Sequence, residues 1–500
     1  MSEPFYITTA ISYPNGPPHI GHAYEAIAAD AIARFQRAQG RDVKLVTGTD
    51  EHGLKMVQTA RREGRDTLEF ADEMSGYFRD MCARLNISYD AFVRTSEPRH
   101  HRASVAIWKA MEEAGDLYLD RYEGWYSVRD EAFYDESELV AGEGGEKLSP
   151  QGTPVEWTAE ETWFFRLSKY QDQLLALYRD NVDFIRPESR RNEVVKFVEG
   201  GLRDLSVSRT SFDWGVPVPG SPDHVMYVWV DALTTYMTGV GYAQDQAEFD
   251  RYWPADVHLI GKDIVRFHAV YWPAFLMSAN LPLPKQVFGH GFLLARGEKM
   301  SKSLGNVVDP MALAERFGVD QLRYFLLREI SFGQDGSYSA EAIVNRANSE
   351  LANSFGNLAQ RSLSMIFKNL DGVIPAAGEA EVDQALLAQV DAACAELAQE
   401  FDRFSFSTGL EAWMGAVFAC NQYVDAMAPW GLKKTDPERM AAVLGTVVTA
   451  VHKLAVAVQP VIPASTEKLI ALIDSGEGGL PISQPTPIFP RLELEAEEVA

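Results

Sequence analysis

Apolar and polar positions alternate with two different periods along the first hundred residues. Short apolar runs at 5–11 and 43–47 have the length and composition of buried strands. Residues 23–37 and 67–85 instead carry apolar side chains at the three- and four-residue spacing of helices. Strands that alternate with helices in this way are typical of a parallel sheet covered by helices.

The pattern changes between residues 115 and 222, where aromatic, hairpin-like pieces at 118–126 and 163–167 flank a glycine-rich loop. Strand-like runs then return at 225–230, 258–261 and 286–288. We therefore predict an α/β fold with a doubly wound, Rossmann-like parallel sheet that is split around an inserted domain.

Helical periodicity dominates from residue 340 onward and predicts about five helices, with breaks near 372–378, 405–407, 430–437 and 460–463. The apolar stretch 441–463 contains His452, Lys453 and Gln459, so a bundle helix is favoured over a membrane span. The predicted domains are the first half of a catalytic fold at 1–114, an inserted connective domain at 115–223, the second half of the fold at 224–292, a loop and stem-contact region at 293–340, and an all-α helical domain at 341–500.

Composition limits the class of protein. With 500 residues, 46% of them hydrophobic, the chain can build several cores without covalent staples. Its three cysteines, Cys82, Cys394 and Cys420, are too far apart in the sequence to indicate a disulfide framework or a four-sulfur zinc site. Glu3 precedes any basic residue, which is not typical of a secretory or mitochondrial leader. A cytoplasmic protein is expected.

Net charge argues against general affinity for polyanions, since 46 Lys and Arg face 71 Asp and Glu, a balance of -25. Any nucleic-acid binding must therefore be local. A cluster of basic residues after position 185 forms either a basic stripe or scattered surface charge, and both interpretations stay open. Its members are Arg186, Arg190, Arg191, Lys196, Arg203 and Arg209.

Two short segments carry candidate chemistry: Pro-His-Ile-Gly-His at 18–22 and Lys-Met-Ser-Lys-Ser at 299–303. The first follows a strand and a Pro/Asn/Gly turn and begins a helix, whose unpaired N–H groups and dipole suit phosphates. His19 and His22, three residues apart, share one helix face and add donors. Lys299 and Lys302 lie in a Gly/Ser-rich loop that can bring positive charge to a phosphoryl group. Together the segments indicate adenylyl transfer.

Two other classes of enzyme remain possible from these residues. A metal-dependent hydrolase would use His19, His22, Asp50 and His52 as metal ligands. A small-molecule adenylyltransferase would share the first segment but would not need a helical C-terminal domain.

In this order and context, the two segments resemble the signature motifs of class I aminoacyl-tRNA synthetases. Further matching stretches lie at 10–16, 48–53, 227–232, 260–268, 357–361 and 428–430, and they resemble the methionyl-tRNA synthetase family over nearly the whole chain. The resemblance implies that the protein activates L-methionine with ATP and Mg²⁺ and charges tRNA(Met), including the initiator tRNA. It also implies a monomer, since the chain stops soon after the helical domain.

The resemblance implies a role for particular residues. The catalytic residues would be His19, His22, Lys299 and Lys302. The ATP contacts would be Gly21, Glu25, Gly261, Asp263, Leu293, Met300, Ser301 and Ser303. Asp50 would pair with the methionine ammonium, and an apolar wall would hold the thioether, formed by Ala10, Ile11, Tyr13, Trp229, Ala232, Tyr236, His268 and Trp272. The anticodon would be bound by Asn357, Arg361 and Trp430.

The insert departs from one pattern of the family. Many members carry zinc-binding cysteine pairs there, yet residues 115–222 contain no cysteine, so no structural zinc is expected. Aromatic packing would replace it, through Tyr122, Trp125, Tyr126, Phe133 and Tyr134. At about a hundred residues the insert is also too short for the editing domain of relatives specific for isoleucine, valine or leucine. A cysteine-specific relative would need zinc ligands that the chain lacks.

Overall fold

A computed structural model describes residues 2–130, 132–142, 145–295, 298–299 and 308–494, with the backbone alone at 122, 132, 160, 295, 298 and 299. It divides into two compact units. The first unit comprises Met1–Pro18, Gly40–Ala83 and Ile87–His290. The second unit comprises His19–Gln39, Arg84–Asn86 and Gly291–Ala500.

The helices and strands follow one another in four stretches. As far as residue 127 they are β1 (Pro4–Thr9), α1 (Ile20–Ala38), β2 (Asp42–Thr49), α2 (Leu54–Arg62), α3 (Thr67–Arg84), β3 (Ala91–Arg94), α4 (Pro98–Glu113) and β4 (Leu117–Ser127). The next stretch contains β5 (Ala132–Tyr134), a 3-10 helix (Glu136–Glu138), β6 (Val140–Ala141), β7 (Lys147–Leu148), β8 (Glu156–Phe165), a 3-10 helix (Leu167–Tyr170), α5 (Gln171–Asp180), β9 (Ile185–Arg186), α6 (Glu188–Glu199), β10 (Leu205–Ser206), β11 (Ser208–Arg209), β12 (Pro217–Val218) and β13 (Ser221–Met226).

The third stretch contains α7 (Val228–Thr238), α8 (Gln246–Tyr252), β14 (Val257–Gly261), a 3-10 helix (Lys262–Ile264), a π-helix (Phe267–Tyr271), α9 (Trp272–Ser278), β15 (Val287–His290), β16 (Leu293–Ala295) and β17 (Glu298–Lys299). The last contains α10 (Pro310–Phe317), α11 (Val319–Glu329), β18 (Gly336–Tyr338), α12 (Ala340–Arg346), a π-helix (Ala347–Gly356), α13 (Asn357–Asn369), α14 (Glu381–Asp402), α15 (Phe406–Met427), α16 (Pro429–Thr435), α17 (Pro437–Val458), α18 (Pro463–Asp474) and a 3-10 helix (Glu477–Gly479).

The centre of the first unit is a six-stranded parallel sheet in the order β3-β2-β1-β14-β15-β9. The chain moves outward from β1 to β2 and β3 on one side, and from β14 to β15 on the other. Ligands of such open sheets bind at the carboxyl ends of the strands, where the order reverses. The predicted fold class is confirmed, and the reversal lies between β1 and β14.

The insert is built on long antiparallel strands, in a sheet of order β10-β8-β4-β5. One strand that the sequence predicts just after the insert is wrong. The run 225–230 is strand only as far as Met226, in a small antiparallel sheet with β11 and β12, and α7 begins at Val228. Every residue of α7 except Trp229 is buried. Because the run 225–230 is uniformly apolar, its pattern does not distinguish a strand from the start of a helix.

From residue 340 to 494 the structure describes seven α-helices and a π-helix, where the sequence predicts about five helices. The sequence predicts a break between helices at 430–437, but the short helix α16 extends to Thr435, so most of this predicted break is wrong. Ala428, with φ of 40°, turns the chain, and Pro429 occupies the first helical position, where its missing N–H has no cost.

Helix α17 is the one described helix that is long and apolar enough to cross a membrane by length and composition, and 61% of its most apolar window is buried inside the protein. It contacts α13, α14, α15, α16 and α18. These contacts are typical of the core helix of a bundle, which passes the same test of composition.

Helix α1 belongs to the second unit and is anchored there by a buried ion pair. Asp30 Oδ2 accepts from Arg323 Nη2 of α11 at 2.6 Å, and both side chains are fully buried. The remaining donors of Arg323 reach the carbonyl oxygens of Leu85, Pro460 and Val461. Because every polar group of the pair has a partner, the buried charges fix the position of α1 rather than destabilise it.

Candidate active site

Two histidines lie at the start of α1, and their hydrogen bonds define their protonation. His22 Nδ1 accepts the backbone N–H of His19 at 3.1 Å, and His19 Nδ1 accepts that of Gly21 at 3.1 Å. The rings stack with centroids 3.8 Å apart. A ring nitrogen that accepts carries no proton, so the proton of each neutral ring is on Nε2. Each ring therefore has an N–H with which to donate to an anion.

Glycine at position 21 is required by this arrangement. A Cβ added there would lie 2.9 Å from His19 Cε1 and 3.0 Å from His19 Nδ1, which is too close for the ring to stay in place. Glu25, one turn later in α1, is half-buried.

The segments before and after the Lys-Met-Ser-Lys-Ser loop both reach α1 within the second unit. The backbone N–H of Ile20 donates to the carbonyl of Val308 at 3.0 Å, and β16 contacts α1. Leu293, at the start of β16, is buried. Met300, Ser301, Lys302 and Ser303 lie outside the described residues, and of Lys299 only the backbone, in β17, is described.

Gly261 is the last residue of β14 in the first unit, and Asp263 lies in the 3-10 helix that follows. A Cβ at Gly261 would lie 2.7 Å from Asp263 Oδ1, so glycine is what lets the carboxylate approach the backbone here. Asp263 is exposed and lines a cavity of about 280 Å³. Other lining residues come from the insert, such as Phe133 and Tyr134, and from the π-helix and the residue before it, such as Arg266, Phe267 and Tyr271.

Asp50 follows the carboxyl end of β2, at the edge where parallel sheets bind ligands. It is 8% exposed, and its backbone N–H donates to the carbonyl of Ser12 at 2.9 Å. Ser12 follows β1, so the loops after the neighbouring strands β1 and β2 are joined directly.

A buried network holds the residue next to Asp50. The carboxylate of Glu51 is fully buried and accepts from Arg94 Nε at 2.6 Å and Nη2 at 2.9 Å, and from the Ser96 hydroxyl. Its backbone N–H donates to Thr95 Oγ1 at 2.8 Å. The paired charge-assisted bonds leave Glu51 little freedom, which fixes the chain on either side of it.

The predicted aromatic wall residues of α7 and the 267–272 segment lie together. The Trp229 ring stacks on Phe267 at 3.8 Å and meets His268 edge-on at 5.9 Å. Tyr236 contacts the Trp272 ring edge-on at 6.4 Å. Such an apolar, aromatic surface with few polar atoms suits a thioether, which is a weak acceptor and is recognised by contact.

The π-helix positions His268 so that its hydrogen bonds define its form. Its Nδ1 lies 2.9 Å from the carbonyl oxygen of Ile264, which can only accept, so this nitrogen carries the proton. Nε2 then accepts from the Tyr236 hydroxyl at 2.6 Å. Burial lowers the pKa of His268 to about 4, so the ring is neutral near pH 7.

Acidification from pH 8 to pH 5 is expected to lower the free energy of unfolding by about 2 kcal/mol through His268 alone. The unfolded ring binds a proton below about pH 6.5 and the folded ring only near pH 4. The stabilisation is therefore complete above pH 6.5 and is lost as the pH falls toward 4. Urea unfolding at both pH values measures the loss, and His268→Asn should reduce it. Equal losses in the two proteins would contradict this account.

The other predicted wall residues have different surroundings. Ala10 packs against the core cluster that contains Tyr236 and Trp272, and Ala232 is buried in α7. Ile11 is half-buried. Tyr13 packs against a second cluster, formed by Met56, Ala60, Phe70 and Met74, and its hydroxyl accepts from the Met56 N–H at 2.9 Å.

Arg209 is not the surface residue of a basic stripe. It is 2% exposed, with its guanidinium carbon 4.4 Å from the ring centroid of Phe133 and 4.6 Å from that of Tyr227. Within the described chain its Nε and Nη2 are buried without a hydrogen-bond partner. The charge rests on aromatic faces, which partly offset its desolvation.

Several other members of the basic cluster form ion pairs with acidic neighbours. Arg186 pairs with Asp183, Arg190 with Glu193 and Arg203 with Asp135. In the insert, the Tyr126 and Phe133 rings pack at 4.7 Å, and Trp125 meets Trp157 edge-on at 5.3 Å, whereas the Tyr122 side chain lies outside the described atoms.

The ligands of the alternative metal-dependent hydrolase can be compared with the structure. Within the described part of the chain, no group of three or more His, Cys, Asp or Glu side chains is placed to hold a metal ion. His52, one ligand of the alternative hydrolase, is bonded through Nδ1 to Asp231 at 2.5 Å.

The predicted anticodon residues lie in the helical part of the second unit. Asn357 and Arg361 are one turn apart on α13, directly after the π-helix. Arg361 donates to Asp425 at 3.2 Å and to Asn421 at 3.1 Å. Trp430, in α16, is 55% exposed. An exposed ring of this size is a suitable platform for an unstacked base.

Comparison with known proteins agrees with these features. A family model described as tRNA synthetases class I (M) matches residues 5–363, and one described as the anticodon binding domain of methionyl tRNA ligase matches residues 374–486. The methionine–tRNA ligase of Brucella suis is 57% identical to the chain, over 99% of each of the two sequences. That of Rhizobium meliloti is also 57% identical, over 98% of each.

A solved structure is similar over the same extent. Mycobacterium tuberculosis methionyl-tRNA synthetase in complex with methionyl-adenylate superposes with a TM-score of 0.94 at 55% identity, over 98% of this chain and 100% of that one.

Proposed function

The chain belongs to the methionyl-tRNA synthetase family of class I aminoacyl-tRNA synthetases, and we propose that its helix-start histidines act on ATP while the aromatic surface of its first unit binds methionine. As a member of this family it activates L-methionine with ATP to methionyl-adenylate and transfers the methionyl group to tRNA. The proposal concerns the residues that carry out these steps.

In the first step, a carboxylate oxygen of methionine forms a bond to the α-phosphorus of ATP. The bond from that phosphorus to the oxygen bridging to the β-phosphate breaks, and pyrophosphate leaves with the electron pair. Negative charge grows on the phosphoryl oxygens as this happens. His19 and His22 donate Nε2–H bonds to those oxygens, so no residue is covalently modified and catalysis is positioning and electrostatics.

Positive charge from the loop completes the phosphate site. Lys299 and Lys302 neutralise the departing pyrophosphate, Met300, Ser301 and Ser303 contact ATP, and ATP enters as its Mg²⁺ complex. The observation that carries this proposal is the 3.0 Å bond from Ile20 to Val308, which joins the chain leaving the loop to the helix start that bears the histidines.

The nucleoside and the amino acid are recognised by groups at the carboxyl edge of the parallel sheet. Asp263 accepts from the ribose hydroxyls, with Gly261 allowing the close approach. Asp50 pairs with the methionine ammonium, and Trp229, Tyr236, His268 and Trp272 enclose the thioether. The neutral His268 and the Tyr236 hydroxyl are already bonded to each other, so the wall offers no unpaired charge to a rival polar side chain.

In the second step, a hydroxyl of the terminal tRNA ribose attacks the methionyl carbonyl, and AMP leaves. Asn357, Arg361 and Trp430 bind the anticodon, and the substrates include the initiator tRNA. The protein works in the cytoplasm as a monomer.

Trp430→Ala should reduce kcat/KM for tRNA charging by about tenfold, because stacking of one base on an aromatic ring contributes about 1–3 kcal/mol. Methionine-dependent exchange of label between pyrophosphate and ATP, which needs no tRNA, should be unchanged. Phe367→Ala, which removes another exposed ring of the helical part, is the matched control and should leave both activities intact. An equal loss in exchange and charging would contradict the assignment.

The function itself is tested by measuring that exchange with methionine, leucine, isoleucine, valine and cysteine, followed by charging of initiator and elongator tRNA(Met). Exchange that depends on methionine, with transfer to both tRNAs, is the expected result. Exchange without any transfer to tRNA would instead identify a small-molecule adenylyltransferase.

A further inference from the structure

Asp231 is a wholly buried carboxylate in the middle of α7, and each of its oxygens is bonded to a different histidine. Oδ2 lies 2.5 Å from His52 Nδ1, and Oδ1 lies 2.5 Å from His100 Nε2. Burial alone would raise the pKa of Asp231, but the two histidines outweigh it and hold the pKa well below its usual range. The group is therefore a charged carboxylate in the interior.

These bonds connect three segments of the first unit. Helix α7 carries Asp231 together with the wall residues Trp229, Ala232 and Tyr236. His52 lies in the loop after β2, two residues beyond Asp50, and His100 lies in the first turns of α4.

His100 is bonded to α7 at both ends of its ring. Its Nδ1 lies 2.9 Å from the hydroxyl of Thr238, which itself donates to the carbonyl of Thr234 at 3.2 Å. The hydroxyl of Ser104 also lies 3.1 Å from Nε2. Because both ring nitrogens of His100 have hydrogen-bond partners, the ring cannot turn without losing a bond.

We infer that Asp231 is a positioning residue for methionine recognition: through His52 it holds the loop that bears Asp50 at a set distance from the helix that bears the aromatic wall. Asp231 touches no substrate. The ammonium and the thioether of methionine must be contacted at the same time, so a shift of the Asp50 loop relative to α7 weakens the binding of methionine. This inference rests on the proposed methionine site.

A purely stabilising role would not require a charge at this position. Buried ion pairs replaced by well-packed apolar residues often leave stability unchanged or improved, because desolvation consumes the attraction. A charged carboxylate that bonds to two histidines does more than stabilise the fold, because it also fixes the length and direction of each hydrogen bond. Those are the properties that the Asp50 loop and α7 need.

The test is Asp231→Asn in the full-length protein, which keeps the shape and removes the charge. We expect the KM for methionine in pyrophosphate exchange to rise about tenfold, with kcat and the KM for ATP changed less than twofold. The matched control is Asp116→Asn. Asp116 is also wholly buried in the first unit, and it accepts from Tyr170, Ser278 and Lys169. This control should lose stability but keep the KM for methionine.

Two further variants make the outcome decisive if Asp231→Asn does not fold. His52→Asn should raise the KM for methionine, because it releases the Asp50 loop while leaving His100 in place, whereas His452→Asn in the bundle should not. Unchanged KM in folded Asp231→Asn or His52→Asn, or an equal rise in Asp116→Asn, would overturn the inference. If Asp50→Asn, like Asp231→Asn and His52→Asn, leaves the KM for methionine unchanged, the proposed methionine site itself is wrong. If Asp50→Asn raises this KM but the other two variants do not, the methionine site stands and only the positioning role of Asp231 is wrong.

Discussion

Replacing His22 with alanine is expected to slow formation of methionyl-adenylate by about 100-fold to 1000-fold and to leave the affinity for methionine nearly unchanged. His22 is bonded through Nδ1 to the N–H of His19, so its remaining ring proton is fixed on Nε2 and directed away from that bond. A donor held in this way strengthens its bond only as negative charge develops on the phosphoryl oxygens. Pyrophosphate exchange at saturating ATP and varied methionine measures both quantities.

The control for His22→Ala is His452→Ala. His452 lies in the helical bundle, where its Nε2 is 2.9 Å from Asp474, and removing this ring should change neither quantity. Equal losses of rate and methionine affinity in His22→Ala would show that the histidine supports the fold or the ground state rather than the transition state.

Asp50→Asn is expected to raise the KM for methionine by about 100-fold, with a much smaller effect on the KM for ATP. The substitution keeps the shape of the side chain but leaves the substrate ammonium without a counter-charge in a nearly buried position, a loss of about 2–5 kcal/mol in comparable pairs. Its backbone bond to Ser12 is retained, so the loop should not move. The same exchange assay, with methionine and ATP varied in turn, provides the measurement.

Asp256→Asn provides the matched control for Asp50→Asn. Asp256 precedes β14, at the amino edge of the same sheet, and accepts from the Tyr6 N–H at 2.7 Å and from Lys285 at 2.6 Å. The same chemical change there should affect stability but not the KM for methionine. A rise in KM in both variants would indicate a general loosening of the sheet.

The parts of the fold that follow from local pattern could be predicted from the sequence. Strands β1, β2, β14 and β15 are short apolar runs bounded by turns, and α1 has the spacing of a helix with one polar stripe. Helix α7 could not be found in this way. The run 225–230, which includes the start of α7, is uniformly apolar, and a short uniform run looks the same in a strand or a helix. Helix α16 was missed for a different reason: it contains Pro429 and Gly431, which are typical of loops.

The candidate site shows a similar division. The residues that would touch ligand, such as His19 and Asp50, could be named because their motifs lie beside strand ends and helix starts. Those that hold them in place could not. Glu51 and Asp231 act through partners that are distant in sequence, Arg94 and His100, and only the folded chain brings such pairs together. Arg209 was misjudged because charge alone predicts exposure, whereas aromatic faces accommodate it inside.

The central claim is that different groups bind methionine and stabilise the reacting phosphate. The most direct measurement is rapid quenching of methionyl-adenylate formation with enzyme in excess, for the unaltered protein, His22→Ala and Asp50→Asn, across a range of methionine concentrations. We expect His22→Ala to lower the maximal rate without changing the methionine concentration that gives half of it, and Asp50→Asn mainly to raise that concentration. The same pattern of loss in both variants would contradict the central claim.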